Sequence, residues 1–127
     1  MASGKGPLEA TICWTDPEGS VSLLSPQSVN NRTPKLVNDL DLRISQENHT
    51  YLLWTLDPDD PSHPATPGDN IRDNVEKVWI PDAVPGKTIS ISHKGNLQRG
   101  PQAYALIVSG MRGDPYCTSR ALTSSGA

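Results

Sequence analysis

Twelve prolines and ten glycines, distributed among short apolar runs, limit this chain more than any other feature. Proline removes a backbone donor and glycine inside an element carries an entropy cost, so long helices are disfavoured and many short strands favoured. The length of 127 residues suits one domain around a single core, because a second core would have too little surface to bury.

The formal net charge is −3, with basic residues scattered along the chain. That leaves no electrostatic footprint for a phosphate backbone or an acidic membrane surface, so nucleic acid is not an expected partner. No stretch approaches the roughly 20 consecutive apolar residues that span a bilayer, and membrane insertion is not expected either. Residues 1–6 read as a short leader, with any secretion signal upstream in a longer precursor. Cys13 and Cys117 are expected to stay unpaired, Cys13 as a small core residue in a strand and Cys117 in a polar tail.

Period-two alternation predicts the strands. Over residues 8–15, Leu8, Ala10, Ile12 and Trp14 share one face and Glu9, Thr11, Cys13 and Thr15 the other. Turn chemistry at Asp16-Pro17-Glu18-Gly19 then opens a long polar loop to Pro34. In the strand expected over 36–45, Leu40, Leu42 and Ile44 face one way, which sets Asp39, Asp41 and Arg43 together on the opposite face. A turn at Glu47-Asn48-His49 leads into an expected strand over 50–56, followed by a proline-rich loop over 57–68. Further strands are expected over 75–80, over 87–93 with Ile89 and Ile91 inward, and over 102–109, the last buried on both faces. Residues 7–113 thus form the domain, and the polar residues 114–127 read as a disordered tail or linker. Short strands at this spacing without a helical period predict an all-β fold, an antiparallel β-sandwich or jelly-roll-like barrel.

The acidic residues are the strongest chemical signal. Asp16 follows a strand, Asp39 and Asp41 stand at i and i+2, and Asp69, Asp73 and Glu76 surround Asn70 and Asn74. A hard cation such as calcium needs several oxygens at about 2.3–2.6 Å, whereas the plain alternative is a set of solvated edge and turn acids with no EF-hand spacing. Glycoside hydrolysis by Asp39 and Asp41 would require a cleft for which no pattern is present. His49, His63 and His93 stand in or beside turns, and no Gly-x-Ser-x-Gly elbow accompanies them, so no catalytic residue is expected. Trp14 is expected in the core; Trp54 and Trp79 are the candidates for a sugar-stacking platform, against the more frequent role of tryptophan as buried bulk.

Four blocks carry a resemblance: Trp14-Thr15-Asp16-Pro17, Leu36-Val37-Asn38-Asp39-Leu40-Asp41-Leu42, Asn74-Val75-Glu76-Lys77-Val78, and Gly100-Pro101-Gln102-Ala103-Tyr104-Ala105-Leu106-Ile107-Val108-Ser109-Gly110. In that order, over residues 8 to 111, the chain resembles the β-sandwich domain that follows the catalytic domain in certain secreted bacterial subtilisin-like serine proteases. The resemblance implies a jelly-roll-like sandwich packed beside an upstream Ser-His-Asp protease domain. It implies an accessory role there, stabilising the catalytic domain or aiding the binding of protein substrate. It also implies calcium in the sandwich, with Asp16, Asp39, Asp41, Asn74 and Glu76 as the matching metal positions and Asn38 as a matching metal or structural position. The family's Gly-Thr-Ser-Met block and its aspartate and histidine blocks are absent, so this chain is expected to be non-catalytic. Where the family often reads Asp-x-x-Asn-Asn-Val-Glu, residues 70–76 exchange acid and amide. Tyr116-Cys117-Thr118-Ser119 resembles the opening of another small β module of secreted bacterial proteins. The alternative reading is a carbohydrate-binding or adhesive module of a secreted multidomain protein.

Overall fold

A computed structural model describes residues 6–111 and the backbone of the strand Cys117–Leu122. The rest of the leader and of the polar tail lies outside the described residues. Nine strands occur among them: β1 (Leu8–Cys13), β2 (Leu40–Gln46), β3 (His49–Tyr51), β4 (Leu53–Thr55), β5 (Thr66–Gly68), β6 (Val75–Ile80), β7 (Thr88–His93), β8 (Gln102–Ser109) and β9 (Cys117–Leu122). The order β6-β1-β8-β9 makes one antiparallel sheet, β3-β2-β7 a second, and β4-β5 a two-stranded third. A single turn of 3-10 helix at Pro26–Ser28 is the only helical element among the described residues, and no described helix is long and apolar enough to cross a membrane.

Alternation explains the sandwich. Leu8, Ala10 and Ile12 of β1, Val78 and Ile80 of β6, and Tyr104 and Val108 of β8 turn one sheet's inner face into an apolar surface. Leu40, Leu42 and Ile44 of β2 supply the opposing surface, and all of these with Trp14 and Leu53 form one core cluster. The register holds these residues in layers, with Ala10 opposite both Val78 and Val108, and Leu42 opposite Ile91. Burial of such side chains stabilises a fold by about 1.5–3 kcal/mol each, which is why each strand's register is tightly specified.

Several elements differ from the sequence reading. The strand expected over 36–45 begins only at Leu40, because the N–H groups of Val37 and Asn38 go to the Asp16 carboxylate instead of a neighbouring strand. The strand expected over 50–56 is two strands: the chain changes partners at the exposed Leu52, β3 pairing with β2 and β4 with β5. Such a transfer between sheets makes a corner of the sandwich. The last three residues of the expected 57–68 loop form β5, where Pro67 is tolerated because β5 pairs on one side only. Cys13 is exposed and free, since the residues of β1 that face inward are the even-numbered ones. β8 is central in its sheet as its sequence suggested, but Ile107 on its outer face is 55% exposed.

The largest difference concerns residues 117–122. These were expected in a polar tail, with Tyr116-Cys117-Thr118-Ser119 resembling a separate module. Instead Cys117–Leu122 pairs with β8, Cys117 opposite Ile107 and Leu122 opposite Gln102, as the fourth strand of the large sheet. At the opposite end of β8, Gly110 has a φ of 81°, and a Cβ there would run into the Pro7 carbonyl. Only glycine allows the start of β1 to pass this close to the end of β8.

Candidate functional site

The four sequence blocks that carry the resemblance meet in one polar network at the head of β2. Asp16 accepts the N–H groups of Val37 at 2.6 Å and Asn38 at 2.8 Å. Asn38 is 2% exposed and uses both ends of its amide: Oδ1 accepts the Gln98 N–H at 2.8 Å, and Nδ2 donates to Gln102 Oε1 at 2.8 Å and to the Gln98 carbonyl at 3.3 Å. Gln102 donates onward to the Thr15 carbonyl at 3.0 Å. The Trp14 indole donates to the Asn38 carbonyl at 3.1 Å, while Asn74 Nδ2 donates to the Trp14 carbonyl at 2.6 Å. Every buried amide in this group has protein partners, as polar groups taken out of water must.

A second cluster lies on the Asp39–Asp41 face of β2. Lys94, just past β7, directs its ammonium at Asp41 Oδ1 (3.0 Å), Asp39 Oδ2 (3.2 Å) and Asp69 Oδ2 (2.9 Å). Arg43 bridges Asp41 at 2.9 Å and Asp69 at 2.8 Å. Burial pushes the Asp39 carboxyl above its usual range against the opposing pull of Lys94. For Asp69 burial acts in the same sense, but the hydrogen bonds from Lys94 and Arg43 outweigh it and hold the carboxyl low. Burial alone would lower the Lys94 pKa; its bonds to Asp69, Asp41 and Asp39 prevail and raise it.

Glu76 belongs to both sheets. It projects inward from β6, is 1% exposed, and accepts the Leu42 N–H through Oε2 at 2.6 Å. That donor is open because β3 pairs with β2 only from Ile44 onward. Burial, reinforced by the charges of Asp41 and Asp39, pushes the Glu76 carboxyl up to about 7, despite the Leu42 hydrogen bond and Arg43.

The expected metal set therefore divides. Asp39, Asp41 and Glu76 belong to the acidic cluster, whereas Asp16 and Asn74 bond to backbone groups of the polar network. Asp39 Oδ1 and Glu76 Oε1 are buried without a partner among the described residues, and oxygens of this kind are what a calcium ion would satisfy. Among the described residues, however, no three His, Cys, Asp or Glu side chains are grouped so as to hold a metal ion. Lys94 escaped the sequence reading, which placed Arg43 on the face of Asp39 and Asp41 and Gln102 in a resemblance block without giving either a partner. Only Arg43, two residues from Asp41 on the same strand face, carried a local signal.

The tryptophans also divide. Trp14 is buried in the core, but Trp54 and Trp79 are 39% and 41% exposed and line a common cavity of about 280 Å³ with His49, Thr50, Tyr51 and Pro67. Of the other histidines, His63 Nδ1 lies 2.8 Å from the Pro64 carbonyl and His93 Nδ1 3.0 Å from that of Gly95, each within its own turn.

No protein-family model, curated protein or solved structure matches the chain.

Proposed function

We propose that this chain is a non-catalytic accessory β-sandwich of a secreted subtilisin-like serine endopeptidase, stabilising the upstream catalytic domain or helping it to hold protein substrate. What supports the reading is that the residues carrying the resemblance, Trp14, Asp16, Asn38, Asn74 and Gln102, form one hydrogen-bonded network despite their separation in sequence. A motif whose members brace one another is a property of a scaffold. It accounts for the blocks without any catalytic role. The reading includes the calcium ion that the resemblance implies; Asp39, Asp41 and Glu76 would have to be drawn together to hold it, and when bound it would supply divalent positive charge to the acidic cluster.

The full-length protein tests the proposal. A Ser-His-Asp protease domain should precede the sandwich, and removal of the sandwich should shorten the lifetime of protease activity at elevated temperature or weaken cleavage of folded protein substrate. The isolated chain should hydrolyse neither casein nor chromogenic peptides. Hydrolysis by the chain that vanished on a single Ser or His substitution would overturn the reading, as would the absence of a protease domain upstream. The second reading, a carbohydrate-binding or adhesive module, draws on the exposure of Trp54 and Trp79.

A further inference from the structure

The cavity beside Trp54 and Trp79 is built where three strands meet at the corner of the sandwich. β3 contributes His49, Thr50 and Tyr51; β4 and β5 set Trp54 opposite Pro67; and Trp79 projects from the outer face of β6, which packs beside β4. Alternation forces this exposure, because Leu53, Val78 and Ile80 take the inward positions of the same strands. An antiparallel sandwich that left two indoles on one outer corner without a ligand would carry a needless apolar patch.

The wall presents aromatic faces, a proline ring, two donor-only indole N–H groups, and the hydroxyl and imidazole groups of Thr50, Tyr51 and His49, which can donate or accept; it contains no carboxylate, carboxamide or guanidinium. Neither the Trp54 nor the Trp79 indole N–H has a hydrogen-bond partner among the described residues, whereas the Trp14 indole does. An indole can only donate. A ligand that complements the two indoles offers them acceptors and apolar rings. Sugars are matched by acid and amide side chains that accept from hydroxyl groups, and none lines the cavity. An extended polypeptide in the polyproline II conformation offers what is needed: carbonyls free of internal hydrogen bonds, apolar pyrrolidine rings, and a backbone that loses little entropy on binding.

We propose that the cavity lined by Trp54 and Trp79 binds an extended, proline-containing polypeptide segment, the rings packing between the indoles and the indole N–H groups donating to its backbone carbonyls. The site would give the accessory domain a substrate preference, but peptide binding by the chain alone does not depend on the protease reading.

Calorimetric titration of the chain with a blocked polyproline peptide tests this, with a Gly-Ser peptide of equal length and cellohexaose as comparison ligands. Saturable binding is expected for polyproline alone. Trp54→Ala and Trp79→Ala should each weaken it roughly tenfold or more, as loss of an aromatic anchor does. Trp54→Phe, which keeps a ring and loses the donor, should weaken it less, and Leu24→Ala, exposed and outside the cavity lining, should leave it unchanged. Far-UV circular dichroism checks the fold of each variant; if the alanine variants do not fold, Trp54→Phe and Trp79→Phe decide. Binding of cellohexaose without polyproline would overturn the proposal in favour of a glycan site. Absence of binding, or polyproline binding that no tryptophan variant weakens, would overturn it as well.

Discussion

Asp16 Oδ1 accepts the backbone N–H of Asn38 at 2.8 Å across twenty-two positions of sequence. With Oδ2 on the Val37 N–H, one carboxylate closes the loop between β1 and β2 and delivers Asn38 to its buried site. Hydrogen bonds to a charged acceptor are worth about 1.5–3 kcal/mol, so Asp16→Ala should cost about 2–3 kcal/mol in urea unfolding. Asp16→Asn, which keeps one acceptor oxygen, should cost less. If Asp16→Ala costs no more than Asp82→Ala at an exposed position, the brace has no energetic role.

Glu76 predicts an unusual pH response. Its pKa in the folded chain is about 7, above the ordinary 4.5, so the folded state holds the proton more tightly than the unfolded state. The stabilising contribution is complete below about pH 4.5, declines as pH rises through the window to about 7, and is absent above it. In chelator, Glu76→Gln should remove that slope, with stability near wild type in acid and about 1–3 kcal/mol higher above neutrality. Denaturant midpoints across this range read the difference directly. Parallel profiles for the two proteins would show that Glu76 does not titrate there.

The acidic cluster predicts competition between Lys94 and calcium. Lys94→Gln leaves Asp39, Asp41 and Asp69 facing one another with Arg43 alone, so its melting temperature in chelator should fall below that of wild type. Added calcium should raise it further than wild type, since a divalent ion replaces the missing ammonium; a hundredfold excess over Kd corresponds to about 2.7 kcal/mol. Asp41→Asn should shrink the calcium response. Melting curves that ignore both calcium and chelator, in wild type and Lys94→Gln alike, would remove the metal from the proposed function.

How much was legible follows from the range of each signal. Period-two alternation is local, and it located β6 at residues 75–80 and β8 at 102–109, together with the inward faces of β1 and β2. The sheet change at Leu52 left no trace, because the side chains of residues 51–54 alternate without interruption while the backbone changes partners. β9 was missed because Cys117-Thr118-Ser119-Arg120 has no apolar alternation; its pairing comes from the free edge of β8. Asp39 and Asp41 could be paired from spacing alone, but Lys94 reaches them only through the β2–β7 register, which sets Leu40 opposite His93. For Asp16 and Asn74 the backbone bonds were not legible, because a carboxylate or amide beside a strand end has the same sequence signature whether it holds a cation or a backbone N–H or carbonyl.

The three-strand run β1-β8-β9 also has a mechanical consequence. β1 and β9 are both antiparallel to β8, so they run in the same direction, with the start of β1 beside Ser109 and the end of β9 beside Gln102. A pull on the start of β1 and the end of β9 therefore acts along the strands from opposite ends. Ladder hydrogen bonds lie perpendicular to such a force, and both rows would bear it together in shear instead of opening one bond at a time. A sandwich threaded this way resists extension between the start of β1 and the end of β9, while a pull confined to β1 and the end of β8, which meet at Gly110 and Pro7, would unzip it.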